Sequence, residues 1–288
     1  MTKNKKLIEI DFLKVEGAGN DFVLIDNYES KYKLSLPQLA RSVCDRHRGI
    51  GADGILVLEK SKLADIKMRY LNADGSEGAM CGNGGRCIAY YALAKQMKKK
   101  ISIEALDYIY EAENSGNDIR LFMKDSSEPK HDLKFHYKNE IIKTSFIDTG
   151  SPHLVIISKD LPRIIGTKLE LLDVKVIGRY LRNEKLFSPA GTNVNFVEVR
   201  KEGIIKIRTY ERGVENETLA CGTGSIAAAI IATIKYSWKP PIKVLTKSGS
   251  ILIIDFMIDG SIAKNVSIKG EAKNVFSGSF NISKKIKL

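Results

Sequence analysis

The chain has no apolar run long enough to form a membrane-crossing helix. The most apolar, Ile226 to Ala232, falls far short of the ~20 residues such a helix needs. A secretory leader is not expected either, because Glu9 and Asp11 interrupt the basic N-terminus where its apolar core would begin. A reducing, cytoplasmic setting is therefore expected. Cysteine is scarce, with Cys44, Cys81, Cys87 and Cys221 and no C-x-x-C pair, so neither a zinc site nor a thioredoxin-like centre is expected. No metal-ligand spacing, Walker loop or dinucleotide fingerprint is present. Acidic residues are in deficit, 34 against 46 basic ones, for a net charge of +12. The lysines are scattered, and no stretch interleaves basic with aromatic residues as a single-strand binder would. A solvated lysine-rich surface is expected rather than a nucleic-acid interface. Its positive field would favour a small anionic substrate.

What remains is ordinary globular material: 288 residues, 43% hydrophobic and 28% charged. A chain of this length buries ~75% of its unfolded surface and has a prior of two domains.

The two domains are visible as a repeat. Gly19-Asn20-Asp21-Phe22-Val23 is echoed by Gly150-Ser151-Pro152-His153-Leu154, and Gly51-Ala52-Asp53 by Gly191-Thr192-Asn193. Ile66-Lys67-Met68-Arg69-Tyr70 is echoed by Ile205-Lys206-Ile207-Arg208-Thr209, and Cys81-Gly82-Asn83-Gly84 by Cys221-Gly222-Thr223-Gly224. Four anchors in one order at nearly constant offset indicate internal duplication. The first domain is expected over 1–129, the second over 130–277, and the tail 278–288 is expected to complete the first. A linker is expected near Ser126-Ser127-Glu128-Pro129.

Each half has the same coarse plan. Asp21 to Ile25, Ile55 to Leu58 and Ile66 to Leu71 read as strands, as do Leu154 to Ile157, Phe196 to Val199 and Ile204 to Tyr210. After each Cys-Gly-x-Gly the small, apolar stretches Arg86 to Met97 and Ser225 to Tyr236 read as buried helices. Strands resume at Ile101 to Glu104 and Ile242 to Leu245. An amphipathic helix over Leu36 to Arg46 would hold Cys44 as a structural thiol. The fold class is α+β: two similar domains, each a mixed or antiparallel sheet wrapped around a central buried helix.

Cys81 and Cys221 each stand at the start of one of these helices. Unpaired N–H groups and the helix dipole there stabilise a thiolate, and adjacent glycines let the same N–H groups grip a carboxylate. Duplicated domains commonly face each other across a pseudo-two-fold axis, so both helix starts are expected to address one cleft. Two opposed thiols on one carbon suit a specific reaction: one removes a proton from a stereocentre and the other returns a proton to the opposite face. A catalytically silent anion-binding module is the competing reading, but a pure binder needs only the N–H groups.

Gly17-Ala18-Gly19-Asn20-Asp21-Phe22, Asn72-Ala73-Asp74-Gly75-Ser76-Glu77, Cys81-Gly82-Asn83-Gly84-Gly85-Arg86-Cys87 and Tyr210-Glu211-Arg212-Gly213 through Cys221-Gly222-Thr223-Gly224 together resemble the diaminopimelate epimerase family. The likeness runs in order over nearly the whole chain. It implies a cofactor-independent homodimer that interconverts LL- and meso-2,6-diaminopimelate for lysine and peptidoglycan-precursor synthesis. Carried over position by position, Cys81 and Cys221 are the acid–base pair, and Gly82, Asn83, Gly222 and Thr223 grip the reacting carboxylate. Asn20, Asn72, Asn193 and Arg212 contact the distal amino-acid group, and Glu211 and His153 partner the reacting ammonium and support the site. Proline racemases share the two-cysteine logic but lack the Glu-Arg-Gly run, and phenazine-type isomerases lack the cysteine pair.

The chain departs from the family pattern at Ser151, where Asn is usual, and at Gly54, where one common form has Gln. The segment from Glu211 to Cys221 is one residue longer than in some relatives. Cys87 is expected to be a buried filler, His47 a surface or supporting residue, and Trp238 a cover for a helix end.

Overall fold

The structure is a computed structural model that describes residues 7–33, 35–78 and 80–283. Alternating apolar residues in Leu7–Gly17 make a strand, β1, which turns at Ala18 and Gly19 into an antiparallel partner, β2 (Asn20–Asp26). Helix α1 (Leu36–Val43) follows, then β3 (Gly54–Glu59), β4 (Ile66–Asn72), helix α2 (Gly82–Gln96), β5 (Lys100–Ala105), β6 (Tyr108–Ser115) and β7 (Asp118–Phe122). The second half carries β8 (Lys130–Tyr137), β9 (Glu140–Asp148), β10 (Pro152–Ile157), helix α3 (Val174–Arg182), β11 (Asn193–Lys201), β12 (Ile204–Glu211) and β13 (Asn216–Thr218). It continues with helix α4 (Gly222–Tyr236), β14 (Ile242–Leu245), β15 (Ile251–Asp259) and β16 (Ile262–Gly270). Last comes β17 (Lys273–Ser283), antiparallel to β1 along its length.

The chain divides into two compact units, one running to Leu121 and resuming at Glu271, the other spanning Phe122–Gly270. Residues 123–127, which overlap the start of the linker expected near Ser126 to Pro129, are hydrogen-bonded into the second unit. Met123 N–H donates to Val266 O (2.8 Å), Ser126 N–H to Ala263 O (2.9 Å) and Ser127 N–H to Asp148 O (2.8 Å). Residues 284–288 of the expected returning tail lie outside the described residues.

Strand pairing repeats between the units. In the first, β2 is parallel to β3, β3 antiparallel to β4, β4 parallel to β5 and β5 antiparallel to β6. In the second, β10 is parallel to β11, β11 antiparallel to β12, β12 parallel to β14 and β14 antiparallel to β15. β13 is an extra strand, paired with β12. In each unit the strands wrap one buried helix, α2 or α4. This is the α+β duplication expected from the sequence.

The strands nearest that helix are buried on both faces, because a second helix covers the other side. β10 reads half-buried Pro152 and then five buried residues, an apolar run typical of a strand covered twice. In the first unit α1 closes a core of Ile10, Val23, Ile25, Leu39, Ile55 and Val57. In the second, α3 packs Ile177 and Leu181 on Phe196 and Tyr210. Helix α1 ends at Val43, short of the expected Arg46, because Asp45 accepts the N–H groups of His47 (2.8 Å) and Arg48 (2.9 Å) and turns the chain.

The central helices begin earlier than the sequence implies, at Gly82 and Gly222 rather than Arg86 and Ser225. Cysteine is the cause. Cys81 (φ −91°, ψ 115°) and Cys221 (φ −120°, ψ 115°) are extended N-cap residues whose sulfur accepts an N–H of the first turn.

Candidate active site

Cys81 is half-buried, and its Sγ accepts the Gly84 N–H at 3.4 Å. The thiol faces Asn20 Oδ1 at 3.8 Å. That oxygen also receives the Asn83 side-chain amide at 3.3 Å. Asn83 is buried and its own Oδ1 accepts Arg86 Nη2 at 2.9 Å, while Arg86 Nη1 donates to Gly82 O at 3.2 Å. Asn20 donates its amide to Asp53. Asp53 also accepts Arg46 at 2.8 Å, and Arg46 pairs with Asp21 at 2.8 Å. Burial works against the Asp21 carboxylate, yet Arg46 and Lys14 hold its pKa down to about 2. The predicted residues Cys81, Gly82, Asn83 and Asn20 thus form one bonded chain. Asn72, at the end of β4, is not bonded to it: its amide donates to Ser76 Oγ (3.0 Å) and its oxygen accepts the Tyr70 hydroxyl (2.7 Å).

Gly54 explains one departure from the family pattern. A Cβ there would lie 2.5 Å from Leu71 O and 2.7 Å from the Tyr70 ring, so no side chain fits.

Cys221 is buried, and its Sγ accepts the Gly224 N–H at 3.4 Å and lies 3.6 Å from Thr223 Oγ1. Thr223 Oγ1 is 2.9 Å from His153 Nε2. His153 is fully buried, with its other ring nitrogen 3.1 Å from Asn195 Nδ2. Burial, reinforced by the positive charge of Arg212, pushes its pKa down to about 3 and keeps it neutral. Asn193 opens β11, donates to Pro152 O (3.2 Å) and accepts the Arg212 backbone N–H (2.8 Å), which fixes where Arg212 leaves β12. The Arg212 side chain is half-buried and forms no ion pair among the described residues. Glu211 accepts the Thr218 hydroxyl at 3.0 Å.

Sequence reasoning missed Asp53, Arg46, Arg86 and Asn195 as members of these clusters. Asp53 stood in a repeat anchor opposite Asn193, and Arg86 inside the quoted cysteine motif. Asn195 lies two residues beyond Asn193, on the same face of a strand. Arg86 is 0% exposed, and among the described residues it is bonded to no carboxylate and its Nε has no partner. Cys44 and Cys87 are buried thiols; burial lifts the Cys44 thiol to about 12 and pushes Cys87 up as well. His47 is exposed. Trp238 stacks on Tyr236 at 5.2 Å beyond the end of α4. Among the described residues no three His, Cys, Asp or Glu side chains converge as metal ligands, and no helix is long and apolar enough to cross a membrane.

Residues 12–128 and 145–274 match the family described as diaminopimelate epimerase. The chain is 39% identical over 273 residues to the diaminopimelate epimerase of Chlorobaculum tepidum, covering 93% of this chain and 100% of that protein. It is 38% identical over 282 residues to the diaminopimelate epimerase of Aquifex aeolicus, covering 93% and 97%. Among solved structures it is similar to a probable proline racemase from Agrobacterium radiobacter, with a TM-score of 0.71 at 16% identity over 96% of this chain and 93% of that one. At that identity the likeness concerns the fold.

Proposed function

This chain belongs to the diaminopimelate epimerase family, within the isomerases, and we propose that it interconverts LL- and meso-2,6-diaminopimelate by two-base proton transfer between Cys81 and Cys221. The observation that carries the mechanism is the matched pair of caps. In each unit a cysteine ends an extended segment, begins a buried helix and accepts the N–H three residues on at the same 3.4 Å. Both sulfurs sit at the positive end of a helix dipole, which favours a thiolate. On this reading one thiolate takes the α-proton while the other thiol supplies a proton to the opposite face, so both must reach the same α-carbon.

The remaining roles follow from what each group has to offer. Asn83 and Thr223, with the N–H groups beside Gly82 and Gly222, hold the reacting carboxylate and the negative charge that develops on it. Among the described residues Arg212 has no carboxylate partner, and it suits the distal carboxylate of the substrate; Asn20, Asn72 and Asn193 supply amides around it. Glu211 accepts from the substrate ammonium. His153, enclosed behind Thr223, supports the site from within the unit. The family likeness extends the reading to a cytoplasmic homodimer serving lysine and peptidoglycan-precursor synthesis without an added cofactor.

The test is incubation of the purified protein with LL-diaminopimelate and no added cofactor, followed by chiral chromatography. The meso form should accumulate until a mixture is reached from either isomer. Cys81→Ala and Cys221→Ala should each lose at least ~10²–10⁴-fold in turnover with the fold retained. An unchanged LL peak in the wild-type reaction would refute the substrate assignment. Full turnover in either Ala variant would refute the two-base assignment.

A further inference from the structure

We propose that Asn195 is a positioning residue for this reaction, holding His153 in the tautomer protonated at Nε2 and thereby turning the Thr223 hydroxyl as a donor onto Cys221. The proposal deepens the reading of Cys221 as an acid–base and rests on it. One group in this set has a hydrogen-bonding role that cannot change. Asn195 Nδ2 lies 2.8 Å from the Leu154 carbonyl, which only accepts, so the amide nitrogen and not the oxygen faces that strand. Asn195 Oδ1 then accepts the Thr209 hydroxyl at 2.9 Å. The second N–H of the same amide meets His153 Nδ1 at 3.1 Å, so Nδ1 accepts and carries no proton.

The ring is neutral. It is fully buried, and among the described residues Arg212 is the charged group whose field reaches it, with a sign that opposes protonation. The single ring proton is therefore on Nε2, and it donates to Thr223 Oγ1 at 2.9 Å. Having accepted there, Thr223 places its own hydroxyl proton toward Cys221 Sγ at 3.6 Å. With the Gly224 N–H, the sulfur has two donors aimed at it, an arrangement that favours thiolate over thiol.

The first unit shows that packing alone does not call for these polar groups. A Cβ built on Gly84 would touch Leu56 at 3.1 Å and Phe22 at 3.6 Å. A Cβ built on Gly224, the equivalent position, would meet Asn195 Oδ1 at 2.4 Å. By strand register Phe22 stands where His153 stands, and Leu56 where Asn195 stands. The same scaffold is thus filled by two apolar side chains in one unit and by a bonded polar set in the other. Burying polar groups is unfavourable unless their bonding is complete, and here each is satisfied.

The test reads the ring and the sulfur separately, without substrate, so its failure is distinct from failure of the epimerase assay. Long-range 15N–1H correlation on histidine-labelled protein should show one imidazole that does not titrate between about pH 5 and 8 and carries its proton on Nε2. The pH midpoint of Cys221 alkylation, read by peptide mapping, should rise by about one unit, or roughly tenfold less thiolate, in both Asn195→Leu and Thr223→Val. Thr223→Val should leave the His153 tautomer in place, Asn195→Leu should release it, and the Cys81 midpoint should not move in either. A wild-type His153 protonated on Nδ1, or charged at pH 7, overturns the proposal whether or not the variants fold. So does an unmoved Cys221 midpoint in either folded variant.

Discussion

Arg212 and His153 bring two different single-residue effects to the second unit. Arg212 is held at its backbone by Asn193 and forms no ion pair among the described residues, which suits it to a charged ligand. Arg212→Ala should lower kcat/KM by roughly 10–150-fold, the loss of one hydrogen bond to a charged group at about 1.5–3 kcal/mol, with most of the effect in KM. Steady-state kinetics on diaminopimelate decide this, and unchanged constants would place Arg212 outside the substrate site. His153 instead leaves a signature in stability. Its pKa falls from 6.5 to about 3 on folding, so below pH 6.5 the unfolded chain binds a proton that the folded chain refuses. Folding stability should therefore fall as pH drops through that window, by about 1.4 kcal/mol per unit from this residue. Denaturant melts of wild type and His153→Phe between pH 4 and 7 should show a shallower decline in the variant. Parallel curves would mean that His153 is not buried as a neutral ring.

The elements show where sequence reading succeeded and where it stopped. Strands were legible because β3, β4, β11 and β12 are short β-branched and apolar runs bounded by Gly and Asn. The central helices were legible from Ala-rich sequence, but their first turns were not, since Gly-x-Gly reads as a loop until the cysteine sulfur is seen capping it. Helix α3 was not read from the sequence at all. Gly178 sits in its middle, and glycine in a helix interior weakens the helical signal by about 1 kcal/mol relative to alanine. The structure supplies the reason for the glycine: a Cβ at position 178 would lie 2.4 Å from Tyr210 Cβ. Two effects compete in Gly178→Ala, a propensity gain of about 1 kcal/mol and an overpacking cost of ~1–3 kcal/mol against a buried ring. The clash involves a Cβ, which cannot swing aside, so the variant should be destabilised, measurable as a lower midpoint in urea. A raised midpoint would show that α3 shifts freely on the sheet.

At the scale of the whole molecule, duplication supplied one scaffold twice and the two copies then diverged in what surrounds the sulfur. The shared features, an extended cysteine and a first-turn N–H at 3.4 Å, left only the repeated Cys-Gly-x-Gly as their trace in the sequence. The differences left none, because they depend on side chains far apart in sequence. Cys81 faces an acceptor, Asn20 Oδ1, within a chain of amides that ends on the buried guanidinium of Arg86. Cys221 faces the hydroxyl of Thr223, backed by a neutral imidazole. Unlike surroundings suit unlike resting states, one sulfur as acid and the other as base, which a two-base inversion requires. The most direct measurement of that claim is the reaction of LL-diaminopimelate in heavy water, stopped early, with deuterium located by mass spectrometry in both isomers. The account predicts one deuterium at the inverted carbon of the meso product and next to none in the remaining LL substrate, because the returning proton comes from the second thiol. Equal deuterium in both isomers from the earliest times, the mark of a single base acting on both faces, would contradict it.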